Sequence, residues 1–409
     1  MNIKITPKKL SGTVTPPPSK SVAHRMIIAA AFAEGQSVIT NLYPSVDILA
    51  TIGAMKSLGA DIVFENNTAV INGFKSIPEK ATVDCCESGS TMRFLIPVAC
   101  ALGVNATFIG GGKLPQRPIT PFLEEFPKHG ITFDYHNTMP FSTFGKLTPG
   151  KFCISGSLSS QFITGLMLAL PTLEGDSEII LTSELNSKPY VDITAGCLKN
   201  FGCEISERSH GYFIKGGQKL KPFSGAVEGD YSQAAFWEVA RALGSDIDIQ
   251  GLNVNSFQGD KKIVEICREI VYNENGVLNP FEIDCSDIPD LVPILAVLAT
   301  FCNGKSRITN VARLRFKECD RLAAMTDCLN RVGGRVTEYE DCLEIEGVPS
   351  LKGGEIQGCN DHRIPMAMSV AATRCEAPLT IIGAECVRKS YPDFFEVYRS
   401  LGGIAKVVD

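Results

Sequence analysis

The sequence predicts an α/β protein made of repeated units. Five times, a helical run ends in glycine and a strand-like run follows at once. Because glycine adopts positive φ without strain, it is the residue expected directly after a helix. The five positions are Leu58-Gly59-Ala60, His129-Gly130-Ile131, Phe201-Gly202-Cys203, Val332-Gly333-Gly334 and Leu401-Gly402-Gly403, with a degenerate sixth at Asn275-Gly276-Val277.

The spacing of these glycines indicates the size of the unit. It exceeds the repeat length of the usual solenoid proteins and suits a βαβ unit with an added hairpin. Six such units divide into two groups of three. A chain of 409 residues is also too long for one ordinary core, so two domains are expected, with a change near Lys219-Leu220-Lys221-Pro222.

Six polar segments stand where helices are predicted to begin. A helix start offers free backbone N–H groups and a partial positive charge, so it attracts anions. Several of the segments also carry Lys or Arg, which together predict a pocket for small, multiply anionic substrates. The segments are Ser19–Arg25, Glu87–Arg93, Ser159–Gln161, Asp230–Gln233, Lys317–Arg321 and Asn360–Arg363.

Composition narrows the class of protein. A content of 44% hydrophobic and 21% charged residues is typical of a soluble globular protein, and a net charge of −6 argues against a nucleic-acid binder. The 15 cysteines are scattered without a Cys-x-x-Cys pair, which favours reduced, mostly buried thiols in a cytosolic protein. The N-terminus lacks the apolar run of a signal peptide, and Ile294–Ala299 is too short to span a bilayer.

Two of the predicted helix starts have a structural and a functional interpretation. Ser19 is a good N-cap after Pro18, and Ser21 and Arg25 lie on one helical face, so this segment is either a capped surface helix or an anion site. Ser159 and Ser160 combine hydroxyls with free N–H groups, which together suit a phosphate, although serine is also an ordinary helix cap.

The acidic candidates also have two interpretations each. Glu318 and Arg321 form either a surface ion pair or a carboxylate acid–base group whose pKa is tuned by cations, with Lys317 beside them. Asp290 precedes an apolar helix and is either an N-cap, the more ordinary interpretation, or a general base. His362 is expected to be a hydrogen-bonded structural histidine.

Several other kinds of site are excluded by their missing motifs. Gly110-Gly111-Gly112-Lys113 lacks P-loop spacing and is followed by Leu114 instead of Ser or Thr. No Gly-x-Gly-x-x-Gly follows a strand, no His/Cys spacing suggests zinc, and no Gly-x-Ser-x-Gly elbow is present.

Taken together and in this order, the segments resemble the 5-enolpyruvylshikimate-3-phosphate synthase (3-phosphoshikimate 1-carboxyvinyltransferase) family over nearly the whole chain. Each motif is modest alone, but their joint occurrence is specific. The motifs that carry the resemblance are Pro18–Ser21 with Arg25, Gly156–Gln161, Ser187–Tyr190 with Asp192, Ile288–Asp290, Lys317–Arg321 and Asn360–Arg363.

The resemblance implies a fold of two inverse α/β domains, each of three βαβαββ repeat units, around an interdomain cleft. Residues 1–18 and 227–409 would form the first domain and residues 19–226 the second. The implied protein is a cytoplasmic monomer that acts on small molecules, without a cofactor, a metal, a nucleic acid or a membrane.

The implied reaction moves the enolpyruvyl group of phosphoenolpyruvate onto the 5-hydroxyl of shikimate 3-phosphate and releases phosphate. By resemblance, the catalytic residues are Asp290 as base, Lys317 as its helper and Glu318 as the acid that protonates the methylene carbon. The residues for shikimate 3-phosphate are Lys20, Ser21, Arg25, Ser159, Ser160, Gln161, Ser187, Tyr190, Asp290 and Lys317. The residues for phosphoenolpyruvate are Lys20, Gly89, Arg117, Gln161, Arg321, Arg363 and Lys389.

Three positions depart from the family pattern. Glu87-Ser88-Gly89-Ser90 replaces an Asn-Ala-Gly-Thr type of loop, and Glu87 would repel phosphoenolpyruvate unless it is paired or turned away. Arg313 stands where Asn is frequent, and Phe94 stands where Pro is frequent.

Two alternative functions stay open at this point. A UDP-N-acetylglucosamine enolpyruvyl transferase would need a loop cysteine near Arg117, but no cysteine lies between Cys100 and Cys153. A non-catalytic anion- or RNA-binding protein, such as a relative of RNA 3′-phosphate cyclase, is disfavoured by the acidic net charge and by the pair Asp290 and Glu318.

Overall fold

The computed structural model describes residues 1–270 and 277–409, so Asn275 and Gly276 of the degenerate sixth switch lie outside the described residues. The strands are β1 Asn2–Thr6, β2 Ser11–Val14, β3 Ser37–Thr40, β4 Ala60–Glu65, β5 Thr68–Phe74, β6 Lys80–Asp84, β7 Asn105–Ile109, β8 Thr132–Asp134, β9 Phe141–Phe144, β10 Lys151–Ile154, β11 Ser177–Leu181, β12 Ile205–Arg208, β13 Gly211–Ile214, β14 Ser224–Ala226, β15 Asp246–Ile249, β16 Glu282–Asp284, β17 Lys305–Thr309, β18 Arg335–Glu338, β19 Cys342–Glu346, β20 Gly354–Gln357, β21 Leu379–Ile382 and β22 Ile404–Val408. The α-helices are α1 Lys20–Phe32, α2 Val46–Ser57, α3 Gly89–Leu102, α4 Thr120–Glu125, α5 Ser160–Ala169, α6 Lys188–Asn200, α7 Tyr231–Ala242, α8 Lys262–Glu265, α9 Val292–Thr300, α10 Arg321–Arg331, α11 Arg363–Ala371 and α12 Phe394–Ser400.

The chain divides into two compact units. The first contains Met1–Pro17 and Gly229–Asp409, and the second contains Pro18–Glu228. These bounds differ by one or two residues from those that the resemblance implied. Each unit has a large hydrophobic core of its own.

The second unit contains three four-stranded sheets with one common plan: β14-β3-β5-β4, β6-β7-β9-β8 and β10-β11-β13-β12. In each, the first two strands are parallel and the rest pair antiparallel. A helix joins the parallel pair in the sheets that begin with β6 and β10, which gives the predicted βαβαββ order. In the remaining sheet the outer parallel strand is β14, which comes from the far end of the unit.

The first unit follows the same plan in two of its sheets, β16-β17-β19-β18 and β20-β21-β1-β22. The N-terminal strand β1 completes the second of these by pairing with both β21 and β22. In the part of the chain that the structure describes, the third sheet contains only β15 and β2, which are parallel. Among the described residues, the predicted βαβαββ order is therefore incomplete in that repeat.

Local signals in the sequence set the helix ends as predicted. All five glycines that follow helical runs have positive φ. Ser19, Ser88, Ser159, Asp230 and Asp320 each accept a hydrogen bond from a backbone N–H of the helix that they precede. The sixth predicted start is α11, where the carboxylate of Asp361 accepts from the N–H of Arg363 at 3.0 Å.

Several helices in both units are unusually buried. Every residue of α9 and α11 is buried, as are nearly all residues of α3 and α5. Helices that are apolar on every side belong inside a core. In the first unit α7, α9 and α11 contact one another, and in the second α5 contacts both α3 and α1. Polar residues at the starts of these helices are therefore held on a rigid framework.

Two sequence expectations concern the whole chain. All 15 cysteines are free thiols, and 12 of them are buried, as predicted. Among the helices of the described residues, none is long and apolar enough to cross a membrane.

Candidate active site

The centre of the site in the first unit is Arg321, the first residue of α10. Its side chain is 2% exposed and forms ion pairs with three carboxylates: Asp361 at 2.8 Å, Asp290 at 2.9 Å and Glu318 at 2.7 Å. Burial alone lowers the pKa of Arg321, but Asp361, Glu318 and Asp290 together raise it well above its ordinary value. Arg321 is buried and the Glu318 side chain is only 15% exposed, so the interpretation of this pair as a surface ion pair is wrong.

Asp290 is shared by several cations. Besides Arg321, its carboxylate lies 3.0 Å from Arg363 and 3.5 Å from Lys317. It does not cap a helix, because it lies inside a 3-10 turn, Pro289–Leu291, and α9 begins after that turn. The N-cap interpretation is therefore wrong, since charge-assisted contacts to three cations hold this carboxylate instead.

Lys317 is the cation in this cluster that is best suited to exchange a proton. Burial lowers its pKa to about 8, although the carboxylate of Asp290 acts in the opposite direction. A lysine with a pKa near the working pH is populated in both its charged and its neutral form, which acid–base chemistry requires. Arg313, one of the departures from the family pattern, makes a small contribution to this lowering and donates a hydrogen bond to the carbonyl of Ser286.

The other residues of the first unit that the sequence analysis singled out are Arg363, Lys389 and His362. Arg363 is the first residue of α11 and is 4% exposed. Lys389 ends a 3-10 segment and donates to the carbonyl of Asn360 at 2.6 Å. His362 is buried next to Asp361, with 3.9 Å between Nδ1 and Oδ1. The side chains of Arg363, Lys389 and His362 are thus all buried. Arg363 lies next to Asp290, and His362 lies next to Asp361.

Sequence reasoning missed Asp260 in this cluster. Asp260 is 2% exposed and accepts a hydrogen bond from the hydroxyl of Ser232 in α7. Burial raises its pKa to about 7, and the negative charge of Asp290 adds to the rise, while Ser232 and Arg363 oppose it. No local signal marks this residue, because Ser232 and Asp290 are distant in the sequence.

In the second unit, Arg25 joins α1 to α5 and α6. Its guanidinium donates to the hydroxyls of Thr194 at 2.7 Å and Thr164 at 3.2 Å, and to the carbonyls of Tyr190 at 2.9 Å and Ser21 at 2.6 Å. Burial lowers the pKa of Arg25 to about 10. These four oxygen atoms are neutral, so none of them cancels the positive charge.

A second group of contacts joins the starts of α3 and α5. Gln161 accepts from Arg93 at 2.7 Å and donates to the hydroxyl of Ser90 at 3.0 Å. Gly89, the first residue of α3, lies so close to Arg117 that an added Cβ would be 2.2 Å from its Nη1 atom. The structure therefore brings the predicted residues Gly89, Arg117 and Gln161 together, with Arg93 between them.

The predicted serines occupy the starts of two helices. Ser159 caps α5, and Ser160 follows as its first residue and is 5% exposed. Ser187 precedes α6, is 3% exposed and has φ +60°, an uncommon conformation for a serine. Backbone strain of this kind is concentrated at functional sites. Tyr190 lies in the first turn of α6 and is linked to Arg25 through its carbonyl.

Two further predicted features have polar partners. Lys20 forms an ion pair with Asp47 at 2.6 Å, a partner that sequence reasoning missed. The carboxylate of Glu87 lies against Gly112, where an added Cβ would be 2.2 Å from Oε2. Gly112 also has φ +57°, a conformation that favours glycine, which explains part of the run Gly110-Gly111-Gly112.

Comparison with known proteins gives a consistent assignment. The family model described as EPSP synthase (3-phosphoshikimate 1-carboxyvinyltransferase) matches residues 5–398. The chain is 47% identical to the 3-phosphoshikimate 1-carboxyvinyltransferase of Clostridium kluyveri, over 98% of this chain and 97% of that protein. The corresponding protein of Clostridium perfringens is 44% identical over 98% of both chains.

Solved structures support the same assignment. EPSP synthase from Acinetobacter baumannii superimposes with a TM-score of 0.83 and 27% identity over 100% of both chains. The predicted α/β class and the predicted resemblance are confirmed, and the alternative functions are not favoured. The chain therefore belongs to the EPSP synthase (3-phosphoshikimate 1-carboxyvinyltransferase) family.

Proposed function

We propose that this chain transfers the enolpyruvyl group of phosphoenolpyruvate to the 5-hydroxyl of shikimate 3-phosphate and releases phosphate, as a step of aromatic amino acid biosynthesis. The observation that supports this most directly is the buried cluster in which Asp290 and Glu318 share Arg321. Two carboxylates and a lysine of lowered pKa, held on the starts of buried helices, are suited to move two protons between bound anions.

Asp290 takes the proton from the 5-hydroxyl of shikimate 3-phosphate. The cations Arg321, Arg363 and Lys317 surround its carboxylate and favour the ionised form, which is the form that accepts a proton. Lys317 assists this transfer, because its pKa of about 8 lets it exchange protons with Asp290 near neutral pH.

Glu318 protonates the methylene carbon of phosphoenolpyruvate. Its side chain is 15% exposed and fixed by Arg321 at 2.7 Å, so its carboxyl group is oriented before the substrate arrives. Addition of the 5-oxygen then gives a tetrahedral ketal that carries a methyl group. As phosphate leaves, Glu318 takes one proton back from this methyl group, which restores the double bond of the enolpyruvyl product, and the proton that Asp290 took from the 5-hydroxyl leaves with the phosphate. The phosphate and carboxylate of phosphoenolpyruvate bind to cations and helix starts: Lys20, Gly89, Arg117, Gln161, Arg321, Arg363 and Lys389.

The second unit holds shikimate 3-phosphate. Ser159, Ser160 and Ser187 bind its phosphate with hydroxyls and N–H groups at the starts of α5 and α6. Ser21 and Arg25 bind its carboxylate, and the neutral hydrogen-bond partners of Arg25 support this role because they leave its charge uncompensated. Gln161 and Tyr190 line the ring, and Lys20 completes the set.

The proposal is tested by phosphate release from phosphoenolpyruvate in the presence of shikimate 3-phosphate or of UDP-N-acetylglucosamine. Release is expected only with shikimate 3-phosphate. Release with the UDP-sugar would favour the alternative transferase, and no release with either would favour a non-catalytic anion-binding protein.

Glu318→Gln separates catalysis from binding. The variant keeps the shape and a hydrogen-bond acceptor for Arg321 but cannot donate the proton, so kcat is expected to fall by roughly 10²–10⁴-fold. The affinity for shikimate 3-phosphate, measured by calorimetry, is expected to stay close to that of the native chain. An equal loss of affinity would indicate a structural role for Glu318.

The proposal also covers the localisation and the oligomeric state of the protein. A cytoplasmic monomer without a nucleic-acid partner is expected, as the family resemblance implies. Light scattering coupled to gel filtration tests the monomer, for which a mass near 44.2 kDa is expected. A mass of twice that value would contradict it.

A further inference from the structure

Arg93 is a buried arginine in a repulsive electrostatic environment. It lies one turn into α3, is 6% exposed and stacks over the ring of Phe162 at 5.1 Å. Burial, together with the positive charge of Arg117, lowers its pKa to about 9. Keeping a guanidinium in such a place costs free energy, so the contacts that it makes require an explanation.

The contacts of Arg93 lead to two residues of the proposed site. One of its NH₂ groups donates to Oε1 of Gln161 at 2.7 Å, and the other donates to the carbonyl of Pro118 at 3.1 Å. Pro118 directly follows Arg117. Arg93 therefore connects the side chain of Gln161 with the segment that carries Arg117.

The chemistry of arginine determines how the Gln161 amide is turned. A guanidinium has donors and no acceptor, so only the amide oxygen can face Arg93. The amide NH₂ group must then point the other way, where one N–H donates to Ser90 at 3.0 Å. In this orientation Gln161 presents a donor, which suits a phosphate or a carboxylate, and not an acceptor, which would repel them.

Close helix packing keeps Arg93 and Gln161 in place. Gly165, one turn after Gln161 in α5, approaches the backbone of Arg93 so closely that an added Cβ would lie 2.4 Å from the Arg93 carbonyl oxygen. Helix α3 therefore cannot move toward α5, and a side chain at position 165 would separate them. The hydrogen bond thus joins two rigid elements.

We propose that Arg93 is a positioning residue that turns the amide of Gln161 so that its NH₂ group serves as a donor to the anionic substrates. This inference rests on the proposed function, and it adds to it a residue that does not itself touch the substrates. Because Arg93 acts through Gln161, loss of either side chain removes the same donor, and the effects of the two losses on KM should not add.

A double-mutant cycle tests whether the two effects on KM are additive in free energy. Arg93→Met and Gln161→Ala are each expected to raise KM for phosphoenolpyruvate by roughly 10–100-fold, the range for a hydrogen bond to a charged group, with a smaller change in kcat. The double variant is expected to be no worse than the poorer single variant, because both changes remove one donor. Effects on KM that multiply would overturn the proposal.

Gln161→Glu separates positioning from structural support. A glutamate keeps the contact with Arg93 and strengthens it by charge, so the melting temperature is expected to hold or rise. It presents no NH₂ group, however, so KM for phosphoenolpyruvate is expected to rise at least as much as in Gln161→Ala. A stable Gln161→Glu variant with native KM would show that the contact is structural only.

Two further variants serve as a control for the loss of any guanidinium and as a substitute in case Arg93→Met does not fold. Arg208→Met removes an exposed guanidinium that stacks on Phe213 in the same unit at 5.5 Å, and it is expected to leave KM unchanged. If Arg93→Met fails to fold, Arg93→Lys tests the same contact, because an ammonium is also a donor without an acceptor and should keep the Gln161 amide turned the same way. It is therefore expected to raise KM for phosphoenolpyruvate less than Gln161→Ala does, and an equal rise would count against the proposal. Should the native chain release no phosphate, the proposed function fails, whereas an active native chain with multiplying effects refutes this inference alone.

Discussion

Replacing Arg321 with methionine should destabilise the first unit strongly. Methionine has a similar length and no charge, so the variant keeps much of the packing and loses all three ion pairs. Asp361 is fully buried, and the side chains of Asp290 and Glu318 are only 19% and 15% exposed. None of the three carboxylates can recover its loss by full hydration.

The magnitude follows from the cost of an uncompensated buried charge. Breaking a buried ion pair by removing one partner costs about 3–5 kcal/mol. The lower part of this range is expected here, because Arg363 and Lys317 still face Asp290. A loss of about 3 kcal/mol would be a large share of the roughly 5–15 kcal/mol that keeps an ordinary domain folded.

The chain provides its own probe for this measurement. Trp237 is the single tryptophan, lies in α7 of the first unit and is fully buried. Urea unfolding followed by its fluorescence therefore reports on the first unit, and the midpoint shift at constant slope gives the change in free energy of unfolding.

A control variant lies on the same helix. Arg331 ends α10 and pairs with Asp327 at 2.6 Å, but both side chains are more than half exposed. Arg331→Met should cost less than about 1 kcal/mol, as exposed ion pairs do. The deficit of Arg321→Met should also shrink in acid, where protonation neutralises the carboxylates. An Arg321→Met variant no less stable than Arg331→Met would refute the reasoning.

Three other predictions follow from titration and exposure. Because the pKa of Lys317 is about 8, the native lysine loses its charge above that pH. KM for shikimate 3-phosphate should therefore rise above pH 8. In Lys317→Arg, which stays charged, KM should not rise in this pH range. The pKa of Asp260 is raised to about 7 in the folded chain, so the stability it contributes is present at low pH and is lost as pH rises toward 7. Relative to Asp260→Asn, the native first unit should lose roughly 2–3 kcal/mol between about pH 5 and 7.5, read from tryptophan fluorescence, and parallel curves would contradict this. Cys153 and Cys359 are the exposed thiols, so two thiols should react rapidly with a soluble disulfide reagent in the native chain and the others only slowly or after unfolding.

Much of the fold was predictable because its signals are local. A serine or aspartate cap acts on the N–H groups of the next turn, and a glycine after a helix acts through its own φ. Ser19, Ser88 and Gly59 therefore mark their helix boundaries without reference to the rest of the chain. The same locality explains why ordered short motifs were enough to indicate the family.

The features that the sequence left open or missed concern partners distant in the sequence. Asp290 had both an N-cap and a general-base interpretation, and only its ion pairs to Arg321 and Arg363 decide against the N-cap. The outer strand β14 closes a sheet that begins nearly two hundred residues earlier, at β3. Nothing within a few residues of these positions distinguishes the observed arrangement from its alternatives.

The sequence by itself determined six helix starts, five helix ends, the α/β class and the family, because caps, glycines and motifs act over a few residues. Only the tertiary structure decided which charges meet: Arg321 with Asp361, and Arg93 with Gln161. It also decided the pKa of Lys317, since burial and distant carboxylates determine that value. Electrostatic energies depend on distance and solvent exposure, and both arise only when the chain is folded.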